Sequence, residues 1–100
     1  MIRLTKSFSN SLFYLSDQIN RSSLSVVLNI AEGSSKQTAK DFNRYIAIAL
    51  GSVDETVASL EVAFELNHIT KQQFNNLMEM YEAISKQLGG LSKALKKSKA

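Results

Sequence analysis

The chain has 100 residues, of which 44% are hydrophobic; 12 Lys and Arg against 9 Asp and Glu give a formal net charge of +3. That length suits one domain with a modest core. The absence of cysteine excludes disulfides and thiolate-bound zinc modules. No run of about eighteen apolar residues is present to span a membrane, and no apolar core with a small-residue cleavage site marks a secretory signal, so a cytoplasmic location with no membrane partner is the expectation.

Charge is segregated along the chain. Residues 1–40 carry Arg3, Lys6, Arg21, Lys36 and Lys40 against Asp17 and Glu32, a balance of +3. Residues 41–85 carry Arg44 and Lys71 against Asp41, Asp54, Glu55, Glu61, Glu65, Glu79 and Glu82, a balance of −5. Residues 86–100 hold Lys86, Lys93, Lys96, Lys97 and Lys99 with no acid, a balance of +5. Such polarity favours an oriented encounter with a polyanion.

In chain order, Phe8, Leu12, Leu15, Ile19, Val26, Val27 and Ile30 recur at helical spacing and predict a long amphipathic helix from about Ser9 to Glu32. Ser9 or Ser11 is its expected N-cap, and Gly33 its expected left-handed terminal residue. Four polar residues interrupt the stripe: Ser22, Ser25, Asn29 and Glu32. The last three share one side of the helix. They read either as a recognition surface or, preferably, as a polar pin, because buried polar groups find partners only in one helix register. Ser52 and the free N–H groups at the start of the next helix are the expected partners.

The linker 33–37 is short and polar, which predicts antiparallel neighbours. The second helix is expected from about Thr38 to Leu66, with Thr38 as N-cap and Asp41 at the positive end of its dipole. Phe42, Ile46, Ala49, Val53, Val57, Leu60 and Phe64 form its inward stripe. Gly51, next to Ala49 and Ser52, costs about 1 kcal/mol relative to alanine inside a helix, which predicts a close helix approach there. Asn67 and His68 mark its stop.

The third helix is expected from about Thr70 to Leu95. Thr70 and Gln73 form a capping box, flanked by Ile69 and Phe74 as a hydrophobic staple. Phe74, Leu77, Tyr81, Ile84, Leu88, Leu91 and Leu95 make a heptad-like seam, with fraying or bending expected at Gly89-Gly90 and a mobile basic tail over 96–100.

Gln18, Arg21, Ser22, Ser23, Ser25, Val26, Asn29, Ile30, Ala31, Glu32 and Gly33 make one block, and Asp41 to Glu55 (DFNRYIAIALGSVDE) a second. Together they resemble a family of small four-helix-bundle proteins first described as products of intervening sequences in bacterial 23S ribosomal RNA genes. The likeness extends from about Thr5 to Leu95. It implies an all-α, up-down antiparallel bundle of the four-helix type that self-assembles into a ring of five with a basic surface. It also reaches a retroelement accessory protein that binds nucleic acid and a reverse transcriptase. In the family a further helix comes first; here Leu4-Thr5-Lys6-Ser7-Phe8 looks like the tail of that helix and the turn after it, and Ser9 stands where the family has proline. The expectation is therefore a bundle whose first helix is missing or a stub, leaving three long helices and an uncovered apolar strip.

No catalytic or metal-ligating set is expected, and no cofactor. The single histidine, His68, lies at an interhelical turn, and Glu65-Leu66-Asn67-His68 matches the di-metal helix motif once, without the second copy a site needs. Glu61 and Glu65 read as a solvated outer face, and no glycine has the flanking pattern of a phosphate-binding loop.

Lys36, Lys40 and Arg44, spaced by four, predict a basic ridge on the second helix, and Lys93, Lys96, Lys97 and Lys99 a second basic cluster; Arg21 is a further candidate. Such groups contact phosphates and carry little sequence information. Outward aromatics for base stacking are limited to Phe13, Tyr14 and Tyr45. Gly33, Gly51 and Ser52 join Ser25, Asn29 and Glu32 as structural candidates. Two functions follow as expectations: a non-enzymatic, self-assembling module that binds RNA or DNA, or a scaffold whose apolar strip accepts a partner protein's helix.

Overall fold

A computed structural model describes residues 2–98, with side chains from residue 10 onward. The described residues form three helices and no strand: α1 (Ile2–Ser34), α2 (Ala39–Glu65) and α3 (Lys71–Lys97). No helix among them is long and apolar enough to cross a membrane.

α1 is longer than its apolar stripe predicts. Residues 4–8, read as the tail of a preceding helix and a turn, belong to α1 itself. No proline occurs in the chain and no glycine before Gly33, so nothing interrupts the ladder of helical hydrogen bonds. Ser9, in place of the family's proline, keeps the N–H that proline would lack. Ser9 and Ser11 are therefore interior residues of α1 and not its N-cap. The side chain of Phe8 lies outside the described residues.

The end of α1 also differs from expectation. Gly33 is within the helix, and no glycine in the chain has positive φ. Its use is clearance: a Cβ there would stand 2.8 Å from Cδ1 of Phe42 and 2.8 Å from Cβ of Tyr45. The glycine thus lets α1 close onto the first turns of α2. Gly51, where a close approach was expected, is exposed, and a Cβ there meets nothing within 4 Å.

α2 begins and ends on identifiable caps. The Thr38 hydroxyl accepts from the Asp41 N–H at 3.1 Å. At the other end Asn67 takes φ 62°, its N–H donates to the Phe64 carbonyl and the His68 N–H to the Ala63 carbonyl, the paired bonds of a Schellman motif. α3 opens on the expected capping box, in which the Gln73 N–H donates to the Thr70 hydroxyl and the Thr70 N–H to the Gln73 side chain. It runs unbroken through Gly89-Gly90 to Lys97, so Lys96 and Lys97 are its last helical residues and not a tail.

Both helix pairs are antiparallel. On the α1–α2 side Gly33 meets Phe42 and Tyr45, Ser25 meets Ser52, and Ser22 meets Thr56. On the α2–α3 side Ser92 bonds to Asn43, and the rings of Phe64 and Phe74 stack with centroids 4.5 Å apart. Among the described residues no Cα of α1 lies within 8 Å of one in α3. α2 is the shared strut of an open arrangement measuring 61 × 22 × 13 Å.

One core joins the three helices: Val26 from α1, Ile46, Ala49, Val53 and Leu60 from α2, and Tyr81 and Leu88 from α3. Burial pushes the Tyr81 phenol above its ordinary pKa. The far side of α1 carries exposed apolar side chains as well, interrupted by the Asp17–Arg21 pair. Phe13 (75% exposed), Val27 (62%), Leu24 and Leu28 (56% each) lie away from the face that Leu15, Ser22, Val26 and Gly33 turn toward α2.

The two glycines should respond oppositely to alanine. Gly33→Ala forces Phe42 and Tyr45 apart from α1 and should destabilise by about 1–3 kcal/mol, the usual cost of overpacking. Gly51→Ala has open space and should stabilise by roughly 0.5–1 kcal/mol. Denaturant melts of both variants measure this; equal effects would remove the clearance role assigned to Gly33.

Candidate nucleic-acid interface

The register just described brings two separate basic segments together. Lys40 and Arg44 stand one turn apart at the start of α2, and α3 arrives alongside with Lys96 in its last turn. The bond from Ser92 Oγ to Asn43 Oδ1, 2.7 Å long, fixes this meeting of helix ends. Between them is an open cleft of about 680 Å³ whose lining includes Lys40, Asn43, Arg44, Ala47, Leu95 and Lys96, together with the flanking Thr38 and Ser98.

The cleft's positive character comes from side chains. The N-terminus of α2 and the C-terminus of α3 lie side by side, so their helix dipoles oppose each other. Lys40 and Lys96 have no ion-pair partner among the described residues. Arg44 has Asp41 at 3.7 Å, with its own side chain 76% exposed, and such surface pairs contribute little.

The other basic candidates are placed as follows. Lys36 is not on the ridge: it lies in the α1–α2 loop, 3.1 Å from Glu32 Oε1 and 5.1 Å above the Tyr45 ring centroid. The hydrogen bond to Glu32 raises its pKa, and the ridge is reduced to Lys40 and Arg44. Tyr45, expected to face outward, is half-buried beneath Lys36. Arg21 pairs with Asp17 at 3.0 Å on α1. It neighbours Ser22, whose partner Thr56 is about 24 Å along α2 from Lys40 at 1.5 Å per residue. Lys93 and Lys97 are exposed close to the cleft without lining it. Lys99 lies outside the described residues.

The polar residues of α1 form a ladder against α2. Asn29 Nδ2 donates to the Ser25 carbonyl at 2.8 Å and to its hydroxyl at 3.0 Å, and Ser25 Oγ is 2.8 Å from Ser52 Oγ. One turn along, the Thr56 hydroxyl lies 2.7 Å from Ser22 Oγ and 2.8 Å from the Ser52 carbonyl, and Ser22 donates back to the Gln18 carbonyl at 2.8 Å. Ser52 is thus the expected partner. Glu32 stands apart from the ladder, exposed and bonded to Lys36, and does not reach the N–H groups of α2. Thr56, fully buried, was missed from sequence; it stands one turn from Ser52, four residues on, as Ser22 stands one turn from Ser25, three residues back. His68 Nε2 lies 3.2 Å from Ser11 Oγ, beside the turn that His68 helps to close.

These features define an all-α module: antiparallel helices around one central strut, locked by a hydroxyl ladder and basic at one end. The chain belongs to the 23S rRNA-intervening sequence protein family, whose model matches residues 1–90. No curated protein and no solved structure matches it.

The ladder should be measurable as a coupling. Ser22→Ala and Thr56→Val each leave the other hydroxyl a local carbonyl, so each should cost only about 0.5–1.5 kcal/mol. The double variant should then reveal an interaction energy on the order of 1 kcal/mol. A strictly additive cycle in denaturant melts would show that the two hydroxyls do not act on each other.

Proposed function

We propose that this chain is a non-enzymatic, self-associating helical module that binds nucleic acid through phosphate contacts. One observation carries the reading: the antiparallel fold sets Lys40 and Arg44 of α2 beside Lys96 of α3, with Lys93 and Lys97 close by. The acids Glu61 and Glu65 stand toward the opposite end of α2. A polyanion therefore meets the module end-on. The family's link with ribosomal RNA genes makes structured RNA the first ligand to try.

Self-association draws on α1. α1 and α3 flank α2 with their backbones apart, as helices on a diagonal of a four-helix bundle would, and the far side of α1 exposes Phe13, Leu24, Val27 and Leu28. Leu24, Val27 and Leu28 cluster within little more than one turn, set apart from Phe13 by the exposed Asp17–Arg21 pair, and an exposed apolar cluster of this kind marks an interaction site. It also favours the second reading, a scaffold on which α1 takes a helix of another protein without nucleic-acid binding.

Fluorescence anisotropy with a structured RNA over a salt series separates the two readings. The five cations of this end engaging phosphates give a log–log salt slope of about −4.5 per protomer, at roughly 0.9 per phosphate on a duplex. Lys40→Glu with Lys96→Glu should lower its magnitude by about 2, while Lys71→Glu, at the other end of the molecule, should leave it in place. Salt-insensitive or absent binding rejects the nucleic-acid reading.

In sedimentation, Leu24→Glu with Val27→Glu should shift assemblies of the parent chain to monomer at unchanged helicity. A parent that sediments as a monomer at all concentrations rejects self-association.

A further inference from the structure

We propose that the cleft between the first turns of α2 and the last turn of α3 is a subsite for a single nucleotide unit carrying a phosphomonoester, either free or at the end of a strand. It deepens the nucleic-acid reading and rests on it only for the strand-end source.

Three features of the cleft support this assignment. First, the lining is divided by chemistry. Lys40 and Arg44 on one wall and Lys96 on the other supply the charge, while Ala47 and Leu95 give an apolar surface between them. A nucleotide has the same division, with an anionic group at one end and a flat, largely apolar base at the other. Second, the size is suitable. The volume of about 680 Å³ lies within the range of small-molecule sites and far exceeds what a bare phosphate fills. Third, a directional donor is present. Asn43 Oδ1 accepts from Ser92, which orients the amide and leaves Nδ2 without a partner among the described residues. That group can donate to a sugar oxygen or a base edge.

The charge count selects a monoester over a diester. A phosphomonoester carries about −1.5 to −2 near neutral pH, against −1 for a diester within a strand. Three cations from two helices match the larger charge, and Arg44 adds the planar fork suited to two phosphate oxygens. The opposed dipoles of α2 and α3 neither add to this attraction nor cancel it.

The test uses the full chain and calorimetric titration with inorganic phosphate, a nucleoside, the matching nucleoside 5′-monophosphate, and two single strands differing only in a 5′-phosphate or 5′-hydroxyl. The monophosphate should bind about tenfold or more tightly than either phosphate or nucleoside, the equivalent of one charge-assisted hydrogen bond. The 5′-phosphorylated strand should exceed the hydroxyl strand by a similar factor. Lys40→Gln and Lys96→Gln should each abolish the preference at unchanged circular dichroism, and Lys71→Gln should retain it. Equal binding of phosphate and nucleotide, or a preference that survives both cleft variants, overturns the assignment. If both strands bind equally and the nucleotide does not bind, the subsite is wrong while the RNA reading stands. If the nucleotide binds and neither strand does, the subsite holds for free nucleotides and the RNA reading falls.

Discussion

The close approach of α1 to α2 is the constraint on which the rest of the molecule depends. Gly33 admits the Phe42 and Tyr45 side chains where any Cβ would collide. Ser22, Ser25, Ala49 and Ser52 then keep the two backbones near enough for hydroxyls to bridge them. Apolar contact alone tolerates sliding, because neighbouring turns present similar surfaces. Paired hydroxyls do not: a slip by one turn would leave Ser25 opposite the wrong residue and Thr56 with only its own helix to bond. Each bond is worth little in net stability. Their contribution is selection of a single register, which in turn places Lys36 over Tyr45 and closes the α1–α2 loop.

α2 inherits two jobs from that geometry. One side is committed to small residues and hydroxyls against α1, and the other presents Phe64, Val57 and Leu50 for the seam of α3. α1 and α3 each pack backbone-close to α2 alone and share only the core between them. α3 accommodates this with a stripe confined to one face. α1 does not, because Leu24, Val27 and Leu28 continue the apolar surface around to its far side. A helix apolar around so much of its circumference is normally surrounded by partners. The asymmetry between the outer two helices is therefore written in their sequences, and α1 is the one suited to further contacts.

Much of this was legible before the structure. Helix class, the Thr38 cap, the Thr70–Gln73 box and the inward stripes of α2 and α3 follow from local spacing, and the structure holds them; of the α1 stripe Leu15, Ile19, Val26 and Ile30 turn inward, whereas Leu12 and Val27 are exposed. The errors share a cause: spacing tells which residues share a face but not how far away the next helix stands. Gly33 ends a polar-flanked stripe, so it reads as a left-handed terminus; its real use is a short interhelical distance to Phe42 that no local pattern encodes. Gly51 sits among small residues and reads as a contact point, yet it faces solvent. Lys36 keeps the four-residue spacing of the ridge but precedes the helix, so the period does not apply to it. The meeting of Lys40 and Arg44 with Lys96 required the tertiary register, because half the chain separates them.

Charge and apolar surface are arranged at right angles to each other, and this limits how copies could be combined usefully. The basic groups gather at the end where α2 starts and α3 stops, whereas the exposed apolar side chains of α1 lie along the molecule's length. Copies joined side by side about an axis parallel to the helices would bring every basic end to one face. Copies joined by a twofold axis across the helices would send them to opposite ends. Only the first arrangement lets several clefts engage one polyanion at once, with each later contact gaining from the effective concentration set by the first. Three cations in one open cleft bind a long polyanion weakly alone, so the direction in which α1 faces pair decides whether the basic end amounts to an extended binding surface.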